Sequence, residues 1–224
     1  MKNPIVQGWY ADPESRVYNE TLYMYVTKSL PFEEQTNLDL VVSKDLKHFE
    51  IISNVLDMET YKGAYYATWA PSMIEKDGKY YIIFAANTIH HDDPGGLYIG
   101  VSDSPEGKFR NIYEDGRPFL NRFYNDAQPI DAHFYKEGDQ VYLYYGGWSH
   151  LNVGKMNANM DAFVPFVVDG EEKPVLEITP LDYVEAPCVL NRNGKYFLMY
   201  SSGGWVNGTY CVKTAVSDSP FGPF

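Results

Sequence analysis

The sequence predicts an all-β chain of the β-propeller type. Three observations lead there: an aromatic-rich composition with no long stretch of helical periodicity, four aromatic runs at nearly even intervals, and turn signals between short apolar segments. Aromatic residues make up 16% of the 224 residues, and tyrosine alone contributes 20. Flat rings pack well on a pleated surface, so this bias favours strands. It also suits sugar binding, because Tyr and Trp offer an apolar face with a polar tip.

The runs are Leu22–Val26, Tyr80–Phe84, Val141–Tyr145 and Tyr196–Tyr200. Their second positions are 23, 81, 142 and 197, giving steps of 58, 61 and 55 residues. Even spacing of this kind marks a repeat architecture. Three runs follow a turn, at Asp77-Gly78, Gly138-Asp139 and Asn193-Gly194. Such dipeptides between apolar segments signal tight hairpins. Upstream strands are predicted at Ser72–Ile74, Ala132–Tyr135 and Pro187–Leu190, and downstream ones at Asp39–Val42, Leu97–Val101 and Cys211–Val216. A fourth strand follows a Lys-Asp or Ser-Asp corner, as at Lys47–Ile52. Four short antiparallel strands per unit, repeated, give a propeller. A β-sandwich is the alternative, but it does not require units of such even length.

The blades are predicted over 12–68, 69–128, 129–183 and 184–224, together one incomplete catalytic domain. Ser102–Phe109 of the second unit matches Ser217–Phe224 of the fourth, after which the sequence stops. The expectation is therefore a fragment, a propeller truncated to about four blades.

A formal net charge of −12 disfavours phosphate backbones, so nucleic-acid binding is not expected. Cys188 and Cys211, the two cysteines, make no disulfide framework and lack metal-ligand spacing. With no apolar leader and no long apolar run, the sequence as written predicts a cytoplasmic protein without membrane contact. A secreted or periplasmic chain whose signal had been removed would look the same. Oligomeric state is not legible.

Each aromatic run is preceded, 11 or 12 residues earlier, by the start of its unit's first strand. Those positions hold Asp12, Ala70, Asp131 and Glu185. Three of four are acids, and in a propeller equivalent positions ring one end of the axis. Prolines 13, 71, 129 and 187 stand close by, and proline restricts both its own φ and the residue before it. Clustered carboxylates beside Trp9, Tyr10, Ile130, Val184 and Ala186 would not all ionise easily, which yields an acid next to a base. Two other readings stay open: the acids cap turns, or they hold a hard cation such as calcium.

Gly8-Trp9-Tyr10-Ala11-Asp12-Pro13, Thr68-Trp69-Ala70-Pro71-Ser72, Pro129-Ile130-Asp131-Ala132 and Glu185-Ala186-Pro187 together resemble glycoside hydrolase family 43 over the whole chain. Those enzymes are five-bladed propellers acting on arabinose- and xylose-containing glycans. The related sucrose- and fructan-cleaving propellers carry an Asn-Asp-Pro-Asn box and an Arg-Asp-Pro box, where this chain reads Tyr-Ala-Asp-Pro-Glu and Pro-Ile-Asp-Ala.

The resemblance implies an inverting arabinofuranosidase or xylosidase acting on an oligosaccharide or polysaccharide. Asp12 would be the general base, Glu185 the general acid, and Asp131 would orient Glu185 and keep it protonated. Inversion requires roughly 6.5–9.5 Å between base and acid. Trp69, Ala70 and Ile130 would line the sugar, with Trp148, Trp205 and His133 as further substrate contacts. Trp69 is alternatively a core residue between blades. The resemblance makes no cofactor certain; it implies a structural calcium near the axis if the missing fifth blade, which usually brings a histidine there, is present. His90-His91-Asp92-Asp93 reads as an exposed loop rather than a metal cluster. Endo-arabinanase action, a non-catalytic carbohydrate-binding propeller and a structural interaction propeller are the competing functions.

Overall fold

A computed structural model describes residues 3–87 and 96–224, which form two compact units, 1–120 and 121–224. Unit 1 holds two four-stranded antiparallel meanders. The first is β1 (Tyr10–Tyr18), β2 (Thr21–Lys28), β3 (Asp39–Ser43) and β4 (Glu50–Ile52). The second is β5 (Trp69–Lys76), β6 (Lys79–Ala86), β7 (Gly96–Ser102) and β8 (Arg110–Asn111).

Unit 2 repeats the plan with changes. Its first sheet runs β9 (His133–Glu137), β10 (Gln140–Tyr145) and β11 (Asn152–Met156). The outer edge of β11 is shared by β12 (Phe163–Val164) and, further along the chain, β15 (Leu176–Glu177). Between these two pieces stands a hairpin of β13 (Phe166–Val168) and β14 (Glu171–Lys173). The last sheet is β16 (Glu185–Arg192), β17 (Lys195–Ser202) and β18 (Cys211–Ser217). The fold is all-β and of the propeller-blade type throughout. No helix among the described residues is long and apolar enough to cross a membrane.

All four first hairpins are two-residue turns. Asp77-Gly78 and Asn193-Gly194 have both residues at positive φ, as does Asn19-Glu20, while Gly138-Asp139 closes the third. That geometry matches the twist of the strands it joins. Asn19-Glu20 carries no glycine, so its turn is not legible as such in the sequence.

The core of unit 1 gathers the inward rings and aliphatic side chains of both its sheets, including Tyr25, Leu40, Met73, Ile82, Phe84 and Phe109. In unit 2 the corresponding cluster contains Tyr144, Leu151, Val153, Val189, Leu198 and Tyr200. The aromatic runs of the sequence are thus the second strands, and each supplies the inner face of its sheet.

Candidate active site

Three of the sheets use the same device at the start of their first strand. The register between β1 and β2 slips between Ala11 and Glu14, that between β5 and β6 between Trp69 and Ser72, and that between β16 and β17 between Glu185 and Cys188. These are β-bulges, which re-aim side chains at the end of a ladder. One residue in each bulge lies at positive φ: Asp12 (49°), Ala70 (47°) and Ala186 (59°), and Asp131 (52°) takes the same conformation just ahead of β9. A proline follows three of the four and holds the turn.

The ladders fix which residues are equivalent. Ala11 faces Thr27, Trp69 faces Ala85 and Glu185 faces Ser201, and the Gly146 amide donates to the Ile130 carbonyl at 3.0 Å. Glu185 therefore matches Ala11, Trp69 and Ile130. Asp12, Ala70, Asp131 and Ala186 form the neighbouring, left-handed set. The three acids do not share one repeat position: Glu185 stands one residue earlier than the spacing from the aromatic run implies. The reason is the bulge, which lets adjacent residues both project from the strand end.

In unit 1, Asp12 is exposed and its Oδ2 accepts a hydrogen bond from Thr27 Oγ1 at 2.7 Å. The same hydroxyl oxygen accepts from the Ala70 amide at 2.9 Å. Buried Thr27 thus ties the left-handed positions of the two sheets together. Trp69 is half-buried; its Nε1 donates to Gln35 Oε1, and its ring meets Phe32 edge-on at 5.5 Å. It is anchored by the loop between β2 and β3 on one side and keeps part of its surface open. Trp9 is 85% exposed and does not shield Asp12 as the sequence suggests.

Two residues beyond Asp12, the Glu14 carboxylate meets Arg16 at 2.5 Å and accepts from Ser72 Oγ at 3.2 Å. Burial raises the Glu14 pKa, and Arg16, Ser72 and the Met73 backbone only partly offset it. A cavity of about 500 Å³ in this unit is lined by Thr36, Asn54, Glu59 and Tyr65 among others, and by none of the expected site residues.

In unit 2, Glu185 is half-buried and its Oε1 accepts from the Tyr210 hydroxyl at 2.7 Å. Tyr183 is buried and donates to the Gly146 carbonyl at 2.6 Å. Burial drives the ionisation of both tyrosines well above the ordinary phenol range, and the charges of Asp131 and Glu185 push it further in each case. Asp131 and Glu185 are therefore both near enough to bear on the ionisation of these two tyrosines. Ile130 is half-buried and packs close to Gly147, where a Cβ would come within 2.9 Å of its Cγ2.

The remaining expected contacts divide. Trp148 is 55% exposed with its ring 5.2 Å from Phe123, and Trp205 is 74% exposed. Both lie in the connection between the second and third strand of their sheets, at the end where the first strand begins. They are offset by two residues, because β17 runs further past the ladder position of Ser201 than β10 does past Gly146. His133 is buried, with Nε2 3.2 Å from the Val189 carbonyl, so it packs between β9 and β16. His90, His91, Asp92 and Asp93 lie outside the described residues. Among the described residues no three His, Cys, Asp or Glu side chains cluster as metal ligands. Thr27, Tyr183 and Tyr210 carry no sequence motif; their alignment with the acids emerges only from strand register.

Comparison with known proteins agrees with this layout. The family model described as Glycosyl hydrolases family 43 matches residues 1–224. The chain is 36% identical over 238 residues to a β-D-galactofuranosidase of Aspergillus niger, covering 99% of this chain and 65% of that protein. It is 30% identical over 189 residues to a β-xylosidase of Xylanibacter ruminicola, covering 70% and 54%. The chain thus spans less than two thirds of the length of either relative. Among solved structures it resembles a β-xylosidase/α-arabinofuranosidase from a compost metagenome, determined with xylotriose in a calcium-free form. The TM-score there is 0.79 at 22% identity, over 99% of this chain and 78% of the other. An α-L-arabinofuranosidase of Clostridium thermocellum gives a TM-score of 0.76 at 23% identity, over 95% and 70%.

Proposed function

Because this chain belongs to glycosyl hydrolases family 43, we propose that it is an inverting glycoside hydrolase releasing terminal arabinofuranosyl or xylosyl groups from oligosaccharides or polysaccharides. The observation that carries this reading is the acids at the strand starts: Asp12 and Asp131 at the left-handed position of their sheets, and Glu185, hydrogen-bonded to Tyr210 at 2.7 Å, beside that position in its own. A turn-capping acid has no need of further acids at the matching strand starts of other sheets.

In this mechanism Asp12 accepts a proton from a water molecule, and the water oxygen attacks the anomeric carbon. The glycosidic C–O bond breaks, and the Glu185 proton passes to the leaving oxygen. Asp131 orients Glu185. Thr27 holds one oxygen of Asp12 and leaves the other for the water. Trp69 and Ile130 flank the sugar, with Trp148 and Trp205 on the loops between second and third strands.

The relative at 36% identity is named a β-D-galactofuranosidase, which favours galactofuranosides as a further substrate class. The test is hydrolysis of nitrophenyl α-L-arabinofuranoside, β-D-xyloside and β-D-galactofuranoside by wild type, Asp12→Ala and Glu185→Ala. Each variant is expected to lose about 10²–10⁴-fold in rate. Equal rates in all three proteins would refute the mechanism, and sugar binding without turnover would identify a carbohydrate-binding propeller instead.

A further inference from the structure

We propose that Tyr210 is a positioning residue for Glu185, holding Oε1 so that the transferable proton sits on Oε2, and stabilising the carboxylate as that proton leaves. This rests on the reading of Glu185 as the general acid. The geometry is specific. Tyr210 immediately precedes β18, where Cys211 pairs with Ser202. Its hydroxyl reaches across to Glu185 Oε1 at 2.7 Å. Ser201 stands directly opposite Glu185 in the ladder, near enough to the same hydroxyl to favour its ionised form, against the larger opposite effect of burial.

The preceding loop is built to deliver Tyr210 to this place. Gly203 lies at φ 80°, and a Cβ there would collide with the Thr209 carbonyl. The Gly204 amide donates to Thr209 Oγ1 at 2.9 Å, while the Thr209 amide and hydroxyl donate to Asn207 Oδ1 at 3.1 and 2.6 Å. Tyr210 thus leaves a loop already tied to itself.

The chemistry follows from charge development. While Glu185 is protonated, the Tyr210 bond joins two neutral groups. As the Oε2 proton passes to the glycosidic oxygen, Glu185 becomes a carboxylate and the bond becomes charge-assisted, about twice as strong. An interaction that strengthens towards the transition state accelerates the step. Burial and the charges of Glu185 and Asp131 keep the Tyr210 proton in place, so tyrosine remains a donor throughout and undergoes no net change. The other group near this pair, Tyr183, is committed to the Gly146 carbonyl.

The experiment is a leaving-group series. Aryl glycosides of the preferred sugar, from dinitrophenyl to phenyl, are hydrolysed by wild type, Tyr210→Phe and Glu185→Gln. Tyr210 is 41% exposed, and Phe retains its ring, so folding is expected to be preserved and is checked by circular dichroism. For Tyr210→Phe, kcat on the phenyl glycoside should fall about tenfold, the size of one charged hydrogen bond. The loss should shrink steadily as the leaving group needs less protonation. A uniform loss across the series, or none, would overturn the proposal. Glu185→Gln separates the two claims: if its own loss does not depend on the leaving group, the assignment of Glu185 as acid fails. If Glu185→Gln shows that dependence and Tyr210→Phe does not, the role of Tyr210 alone fails.

Discussion

Thr27 shows how much one buried hydroxyl can organise. It donates to Asp12 and accepts from the Ala70 amide, so it orders a carboxylate and satisfies a backbone donor at once. Thr27→Val keeps the shape and removes both bonds. The orphaned amide should cost about 1–3 kcal/mol in urea denaturation, and Thr27→Ser should restore it. A Val variant as stable as wild type would show the amide finding another partner. Glu14 offers a second test at this scale. Its folded pKa is raised, chiefly by burial, so the folded state binds the proton more tightly than the unfolded chain. The resulting stability is complete below about pH 4.5 and is lost as pH rises through the folded value. Relative to Glu14→Gln, the wild type should therefore lose stability between pH 4.5 and neutrality. Parallel urea midpoints across that range would contradict the sign.

Among the elements, the bulges decide what the sequence can reveal. The aromatic runs, Asp-Gly and Asn-Gly turns and strand order are legible because they obey period-two patterning and turn chemistry. The exact place of Glu185 is not, because a bulge breaks that period where the site begins. Strand β11 is also hard to read: it contains Gly154 and Lys155, and its outer edge is shared by β12 and β15 rather than continued by one strand. The β13–β14 hairpin has no counterpart in the other sheets and no repeat to announce it. Tyr210 could be noticed only as one tyrosine among 20. Packing within an element is tested at Gly100 on β7, where a Cβ would collide with the Tyr61 hydroxyl and lie 3.0 Å from Phe109 Cβ and 3.1 Å from Ile82 Cγ2. Gly100→Ala should cost about 1–3 kcal/mol through overpacking, read as a lower urea midpoint. An unchanged midpoint would mean that Tyr61 can move aside.

At the scale of the molecule, each unit repeats one joint between neighbouring sheets. In unit 1 the Tyr25 hydroxyl donates to the Pro105 carbonyl at 2.5 Å, and in unit 2 Tyr144 donates to Pro220 at 2.7 Å. Both prolines belong to the Ser-Asp-Ser-Pro corner that recurs in the sequence. In both corners the first serine side chain accepts from the amide two residues on, at 3.1 Å. The recurrence of this corner in the second and fourth units is thus a trace of sheet-to-sheet packing within each unit. In the proposed mechanism the first of these sheets supplies a base and the last an acid, which work by direct displacement with water. Proton NMR of the first sugar released from an aryl β-xyloside tests it most directly. The account predicts that α-xylose appears first and the β-anomer only later, by mutarotation; β-xylose as the first product would show retention and contradict it.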